Sequence, residues 1–370
     1  MDIKNLIIQM ITIYGEHNLL FLFISAVGVS YLFVALWRNY KFLSKFSFHY
    51  TGEQRVHQGE VSRWGGLMIF SVLMVFYHSI EEPVGSDYRY LLYLISPFML
   101  ISFIEDTFHD VSFLTRLVVM VLTALIINIY WIETFPVIEN IPLLSYLLEF
   151  PVFATLFFSL ALVGIMNGTN FIDGMNGLAA LFFLGALCGC ITLSMISNNP
   201  QDTATLVPWG ILVACFLLFN FPSGKFFLGD SGAYLMAILL GTWLIDFFSR
   251  NQSISSWNAV LILIYPLLEV VYSTIRKTSQ GKSPFHPDRC HLHIKIYDIV
   301  FTATKKPLYA NNATTMFLAL FWLAPAMLLQ FVYYSQLGIA VSIILISFCY
   351  VMINYFTPSV SAEKNIKRTS

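Results

Sequence analysis

The chain has 370 residues, of which 57% are hydrophobic and 11% are charged. Soluble domains carry about 25% charged residues, and apolar stretches near the length that crosses a bilayer recur along this whole sequence. The composition therefore predicts an all-α, polytopic integral membrane protein. It excludes a secreted disulfide scaffold, a disordered chain, a soluble Rossmann enzyme and a nucleic-acid-binding protein. The net charge of −1 indicates no partner by itself, so the positions of the charges carry the information.

Charged and Pro- or Gly-rich interruptions divide the chain into eleven candidate transmembrane helices. In order, they cover residues 18–37, 64–80, 89–104, 117–132, 151–166, 178–197, 204–221, 232–248, 257–274, 313–333 and 337–356. We interpret the first as an uncleaved anchor, because no small-residue cleavage site follows it before the next polar stretch. An odd number of crossings predicts that the two ends of the chain face opposite sides of the membrane.

The basic residues predict the orientation, because Lys and Arg are retained on the cytoplasmic side. All of the 20 Lys and Arg except Lys4, Arg89 and Arg250 fall on one side of the eleven-span arrangement. The predicted inner loops are 38–63, 105–116, 167–177, 222–231 and 275–312, followed by a cytoplasmic tail at 357–370. We therefore predict an N-terminus outside, a C-terminus in the cytoplasm and a single membrane-embedded domain over residues 1–370.

The first candidate site segment is the acidic pair Glu105 and Asp106, at the end of the third predicted span. Two adjacent carboxylates repel each other unless a cation or a phosphate partner holds them. The pair is compatible with metal chelation or with proton abstraction from a bound acid. It is equally compatible with a solvated helix end, followed by an ordinary basic anchor at Arg116.

The second segment, NGTNFIDGMNGL, covers residues 167–178. Asn167, Asn170, Asp173 and Asn176 recur every third residue, which places them on roughly one side of a helical turn. Glycines between them allow close backbone approach. Carboxamides beside a carboxylate can hold a nucleotide and a hydrated Mg²⁺, although Asn, Asp and Gly are also ordinary turn residues.

The third segment, FPSGKFFLGDSGAYL, places Asp230 between Gly229 and Gly232 at the start of a predicted span. A carboxylate with small neighbours suits a hard cation that in turn binds phosphate oxygens. The alternative is a helix N-cap, and Asp230 can serve as both.

The fourth segment, SPFHPDRCHLHIK, concentrates Arg289, His291, His293 and Lys295 in the longest inner loop. Zinc ligation lacks partners at the usual spacing, and phosphate binding suits Arg, His and Lys together. A simple positive-inside anchor is the alternative. Because all four segments fall on the predicted cytoplasmic face, they predict an Mg²⁺-dependent site for a phosphate-rich substrate beside the bilayer.

A weaker signal lies upstream, where basic residues precede the second predicted span. Arg55, His57 and Arg63 stand just before Gly65 and Gly66. Taken alone, this stretch is interpreted as an interfacial anchor.

At these residues the sequence resembles the polyprenyl-phosphate N-acetylhexosamine-1-phosphate transferase superfamily, of the glycosyltransferase family 4 type. That superfamily includes undecaprenyl-phosphate GlcNAc-1-phosphate transferases and the phospho-MurNAc-pentapeptide translocase. The resemblance covers about residues 55–295, and its segments occur in the order of the family. They are HQGEVSRWGG at 57–66, the acidic pair at 105–106, NGTNFIDGMNGLA at 167–179, FFLGDSG at 226–232 and SPFHPDRCHLH at 283–293.

The resemblance implies a transferase of the bacterial inner membrane. It would move N-acetylhexosamine-1-phosphate from a UDP-N-acetylhexosamine to undecaprenyl phosphate and release UMP. The implied cofactor is Mg²⁺, for which Mn²⁺ can substitute, and a homodimer would fit the family. The GlcNAc style of the histidine loop favours initiation of a lipid-linked surface glycan such as O-antigen.

The resemblance also implies roles for particular residues. Asp106 and Glu105 would deprotonate or position the lipid phosphate, and Asp230 with Asp173 would ligate Mg²⁺, Asp173 also belonging to the catalytic group. The implied substrate-binding residues are Asn167, Asn170, Asn176, Arg289, His291 and His293.

Four positions depart from the family pattern. Glu105 stands where Asp is usual, Asn176 where many members have Asp, and Ile294 where a further His is usual. Glu269 stands where relatives often have an intramembrane Asp, and we interpret it as the partner of a basic group. The translocase of peptidoglycan synthesis is the alternative within the family, and a transporter or flippase is the alternative outside it. Transporters place costly polar residues near the midplane of repeated halves. The hexosamine, the glycan pathway, and the choice between direct attack and an aspartyl-phosphate intermediate stay open.

Overall fold

A computed structural model describes residues 12, 14–39, 61–80, 84–108, 111–283 and 288–357. Those residues contain helices and no strand, which confirms the all-α prediction for that part of the chain. The helices are α1 Glu16–Asn39, α2 Gly65–Ser79, α3 Val84–Phe108, α4 Phe113–Tyr130, α5 Pro142–Leu148, α6 Pro151–Ile172, α7 Leu178–Ile196, α8 Pro200–Asn220, α9 Gly229–Arg250, α10 Trp257–Ile262, α11 Ile264–Ser279, α12 Leu292–Thr304, α13 Pro307–Phe317, α14 Ala319–Trp322, α15 Ala324–Val332 and α16 Gln336–Phe356.

Most of the predicted spans are helices of membrane-crossing length. Nine segments of the described residues are long and apolar enough to cross a bilayer: α1, α3, α4, α6, α7, α8, α9, the α13–α15 segment and α16. They confirm a polytopic membrane protein. The other two predicted spans are also helical, but α2 has only 15 residues and 257–274 is divided between α10 and α11. Eleven crossings, the orientation of the ends and the single domain therefore stay predictions.

Prolines explain two of the breaks inside predicted spans. A proline ring clashes with the carbonyl four residues earlier and removes a backbone donor. Pro266 acts in this way on Ile262, where α10 ends. Pro325 does the same to Phe321, next to the end of α14 at Trp322.

Helix α9 is the centre of the bundle. Of its most apolar stretch, 94% is buried inside the protein, whereas α1, α4 and α16 are only 22–28% buried and present apolar side chains outward. Helices α2, α3 and α6 pack around it. The start of α9, with Asp230, is therefore enclosed by protein on several sides.

Small residues allow α2 and α9 to approach closely. A Cβ atom on Gly66 would lie 2.1 Å from the backbone nitrogen of Gly232. The two backbones therefore touch where both helices begin, and a larger residue at Gly66 requires them to separate.

The opposite end of α9 is held by a second ion cluster. Arg250 pairs with Asp202 of α8 at 2.9 Å and with Asp246 of its own helix at 2.6 Å. Both ends of the central helix are thus fixed by charged side chains.

Several predicted features lie outside the described residues. They include 40–60 of the predicted inner loop 38–63, with Arg55 and His57, and residues 284–287 of the loop 275–312. The tail from residue 358 onward also lies there.

Candidate active site

The carboxylate of Asp106 holds the first turn of α9. Its Oδ1 accepts a hydrogen bond from the backbone nitrogen of Asp230 at 2.7 Å, and its Oδ2 accepts one from that of Ser231 at 2.9 Å. The Ser231 hydroxyl donates to Oδ2 at 2.5 Å. The first N–H groups of a helix lack intrahelical acceptors and carry partial positive charge. Asp106, 5% exposed, therefore caps α9 from the neighbouring helix α3.

Two arginines meet on the carboxylate of Asp230. Arg63 Nη2 lies 2.7 Å from Oδ1, and Arg116 Nη1 lies 2.9 Å from Oδ2. The arginine side chains are 30% and 26% exposed, against 11% for Asp230. The two guanidinium groups therefore lie at the more accessible edge of the cluster, and the carboxylate of Asp230 lies deeper.

Glu105 belongs to the same cluster but is held differently from Asp106. Its Oε1 lies 3.5 Å from Arg116 Nη1, and its Oε2 accepts a hydrogen bond from the backbone nitrogen of Val111 at 2.8 Å. Glu105 thus links the end of α3 to the start of α4 and helps to place Arg116.

Backbone pairing brings Arg63 to the start of α9. The nitrogens of Gly65 and Gly66 donate to the carbonyls of Phe227 and Leu228 at 3.0 and 2.9 Å. Gly229 then has a φ of +76°, and a Cβ there would lie 2.2 Å from the Arg63 carbonyl. A side chain at Gly229 would therefore be strained and would collide with the cluster.

Asp173 lies just beyond the end of α6 and is electrostatically linked to the cluster. Burial raises the pKa of the Asp173 carboxyl well above its ordinary value, and the carboxylates of Asp230 and Asp106 raise it further. Arg63 opposes this shift. A site with this balance of charge would be stabilised by an added cation.

The two asparagines of α6 lie on its last two turns, as the three-residue spacing predicts. Asn167 is half-buried and its side-chain nitrogen donates to the carbonyl of Val163 at 3.0 Å. Asn170, also half-buried, accepts a bond from the Asp173 nitrogen through its carbonyl at 3.2 Å. Both residues therefore lie within two turns of Asp173.

Asn176 has a different environment, because α6 ends at Ile172. It is 2% exposed, and its backbone nitrogen donates to the side chain of Asn311 at 2.8 Å. The hydroxyl of Thr315 donates to its carbonyl at 2.8 Å. The backbone of Asn176 therefore connects the turn after α6 to α13.

His291 and His293 of the fourth segment are buried against that same turn. His291 Nδ1 lies 2.9 Å from the Glu269 carboxylate of α11, and the two histidine rings stack at 5.8 Å. Burial lowers the pKa of His293 to about 4, so the ring is neutral at pH 7. Arg289 pairs with Asp298 of α12 at 3.1 Å. The part of this segment from residue 288 onward is therefore held by ion pairs with α11 and α12 rather than left as an open basic anchor.

The donor set of the cluster fits a magnesium ion that is shared with a substrate. Among the described residues, no group of three or more His, Cys, Asp or Glu side chains is arranged to hold a metal ion alone. Mg²⁺ usually takes one or two protein carboxylates together with substrate phosphates. Asp173 and Asp230 match this pattern, and the raised pKa of Asp173 is consistent with a need for positive charge.

Arg63 and Arg116 are functional candidates that sequence reasoning interpreted only as anchors. Their partner Asp230 is 167 and 114 residues away along the chain. The available sequence signals were the position of Arg63 beside a Gly-Gly pair and the isolation of Arg116 in an apolar segment.

Comparison with known proteins finds similar sequences over the part of the chain that contains the cluster. The model of the family described as "Glycosyl transferase family 4" matches residues 88–248, which include all four clustered carboxylates. The undecaprenyl-phosphate alpha-N-acetylglucosaminyl 1-phosphate transferase of Thermotoga maritima is 30% identical over 240 residues, covering 65% of this chain and 69% of that protein. The protein of the same name in Haemophilus influenzae is 26% identical over 254 residues, covering 64% and 68%. The decaprenyl-phosphate N-acetylglucosaminephosphotransferase of Mycolicibacterium smegmatis is 33% identical over 157 residues, covering 37% and 39%.

Proposed function

Since the chain belongs to glycosyl transferase family 4, within the polyprenyl-phosphate hexosamine-1-phosphate transferase superfamily, we propose that it transfers N-acetylhexosamine-1-phosphate from a UDP-sugar to undecaprenyl phosphate. The products are undecaprenyl-diphosphate-sugar and UMP. The observation that carries the proposal is the cluster at the start of α9, in which two partly exposed arginines meet Asp230 beside Glu105 and Asp106.

The proposed reaction is a substitution at phosphorus. An oxygen of the lipid phosphate attacks the phosphorus that bears the sugar, and the bond from that phosphorus to the oxygen of UMP breaks. In phosphoryl transfer the protein contributes mainly positioning and charge neutralisation. A cluster of carboxylates and arginines at one end of a buried helix supplies both.

Asp230 and Asp173 would hold Mg²⁺, with Mn²⁺ as a substitute, and the bound ion would neutralise charge on the diphosphate. Arg63 and Arg116 are able to exchange the Asp230 carboxylate for phosphate oxygens, because guanidinium binds both groups in the same geometry. Asp106 keeps the first turn of α9 in place while that exchange occurs. Glu105 and the half-buried Asn167 and Asn170 complete the proposed site.

In the cell, the proposed enzyme lies in the bacterial inner membrane with its C-terminus in the cytoplasm, where UDP-sugars are available. It initiates a lipid-linked surface glycan of the O-antigen type, and a homodimer is the proposed assembly. The apolar outer helices and the one-sided basic residues support this placement.

The test is UMP release by purified protein in detergent with undecaprenyl phosphate, Mg²⁺ and a panel of UDP-N-acetylhexosamines. The panel includes UDP-MurNAc-pentapeptide, whose use would identify the translocase alternative. We expect UMP that depends on both the lipid and the metal. If folded protein releases no UMP with any donor of the panel, the proposal is refuted.

A matched pair of variants on α9 localises the chemistry. Asp230→Asn should reduce turnover by at least about 100-fold, which is the scale of losing one preorganised charged group in a phosphoryl-transfer site. Asp246→Asn makes the same change at the other end of the same helix and should keep near-normal turnover. Equal effects of the two substitutions would show that the cluster is not the active site.

A further inference from the structure

We propose that Glu269, His291 and His293 form a buried group, here called the buttress, that positions the Asp173 carboxylate by packing against the residues on either side of it. Glu269 is then a positioning residue that acts through the histidines. This inference rests on the proposed function for the importance of Asp173, whereas the packing itself is independent of any substrate.

Glu269 fixes the first histidine from two directions. It is 1% exposed, and one carboxylate oxygen pairs with His291 Nδ1 at 2.9 Å. The other accepts a bond from the backbone nitrogen of Leu292 at 3.3 Å. The carboxylate on α11 thus sets both the ring of His291 and the first residue of α12.

The two histidines contact the chain on both sides of Asp173. His291 packs against the ring of Phe171, with centroids 5.0 Å apart. His293 lies directly under Gly174, where a Cβ would be 2.3 Å from Nε2. Because the residues before and after it are held in this way, the position of Asp173 depends on these rings.

The two histidines are too deeply buried to contact a substrate directly. His291 and His293 are 3% and 2% exposed, and the turn at 171–174 covers them. His293 Nδ1 is buried and makes no hydrogen bond, so packing rather than polar contact holds that ring.

A substitution at Gly174 can test the contact with His293. Its φ lies outside the left-handed region, and the atoms nearest to an added Cβ all belong to the imidazole of His293. Gly174→Ala therefore pushes the turn off the ring. Gly164→Ala is the matched control, because Gly164 lies in α6 before the same turn and an added Cβ meets nothing within 4 Å.

The experiment is a double-mutant cycle with Gly174→Ala, His293→Ala and the double variant, measured by melting temperature in detergent without substrate. We expect Gly174→Ala to lower the melting temperature in the native background but to have no further effect once His293 is Ala. Gly164→Ala should not lower it. Independent, additive losses would refute the contact.

A second arm measures UMP release and the Mg²⁺-induced rise in melting temperature. Displacing a reacting group by about 1 Å costs about 100-fold in rate, so Gly174→Ala should lose about that factor in kcat/KM and much of the Mg²⁺ response. The double variant should regain part of both. If His293 instead contacts the substrate, the double variant will be no better than Gly174→Ala, and the proposal fails.

Glu269→Gln keeps the size of the side chain and removes its charge. We expect it to raise the Mg²⁺ concentration needed for half-maximal thermal stabilisation, with partial rescue of activity by added Mg²⁺. A loss of activity that is uniform at all Mg²⁺ concentrations would overturn the positioning role. If the native protein releases no UMP with any donor, the proposed function fails. The double-mutant cycle in melting temperature and the Mg²⁺-induced rise in melting temperature still test whether the buttress positions Asp173.

Discussion

Replacing Asp106 by Asn should destabilise the protein far more than a change of one atom suggests. Its carboxylate accepts three hydrogen bonds from the first turn of α9. Asn keeps one acceptor oxygen and turns an NH₂ group toward the backbone donor of Ser231. Hydrogen bonds to charged groups contribute about 1.5–3 kcal/mol each, and a lost helix cap costs about 1 kcal/mol. The expected loss is about 2–4 kcal/mol.

The assay is thermal unfolding of the purified protein in detergent, with membrane insertion checked separately. Glu105→Gln is the matched control, because Glu105 accepts one backbone bond, from Val111, and lies 3.5 Å from its arginine. Its loss should be about 1 kcal/mol. If Asp106→Asn melts like the native protein, Asp106 does not cap α9 and its carboxylate is free for chemistry alone.

Three further predictions concern packing and pH. Gly66→Ala should cost about 1–3 kcal/mol by overpacking against α9, while Gly28→Ala in α1, where an added Cβ has open space, should cost nothing in the same melting assay. Asp173→Asn should raise stability as the pH rises above the ordinary Asp value of about 4, because desolvation raises the pKa of this half-buried carboxyl and its ionisation opposes folding; the gain should vanish below that pH, and a gain that is constant with pH would contradict the desolvation argument. The pKa of His293 is lowered to about 4 in the folded protein. The free energy of unfolding should therefore fall as the pH falls from about 6.5 toward 4, because over this range the unfolded chain binds a proton that the folded chain does not. His293→Gln should flatten that part of the stability curve, and an unchanged slope would assign the titration to another group.

Hydropathy predicts the helices of this protein because a bilayer imposes one length and one composition on each span. All eleven predicted segments are helical, and their prolines explain where two of them break. The polar segments were also recognisable, since a carboxylate or a run of Asn and Gly is costly beside apolar spans.

The partners of those polar residues could not be predicted, because they depend on which helices meet. Arg63 and Arg116 look like interfacial anchors when each is considered with its sequence neighbours. Of the residues with the three-residue spacing, Asn167 and Asn170 lie in α6, whereas Asp173 follows its last residue. The same spacing extended to Asn176 fails to describe its surroundings, because α6 ends at Ile172; the backbone of Asn176 bonds to α13, and its side chain donates to the carbonyl of Pro222.

The contrast between Asp106 and Asp230 suggests how one cluster combines rigidity with exchange. Among the described residues, the hydrogen bonds to Asp106 come from the first turn of α9, and two of the donors are backbone N–H groups that cannot leave without unwinding the helix. Arg63 lies farther from Asp106, with Nη2 3.7 Å from Oδ1. Asp230 pairs with the ends of two long, partly exposed side chains, those of Arg63 and Arg116, whose guanidinium groups can also bind another anion. Adjacent carboxylates therefore differ in what they can release. In the proposed reaction, Asp106 would fix the helix, whereas Asp230 and its arginines would bind and release the phosphate and the cation.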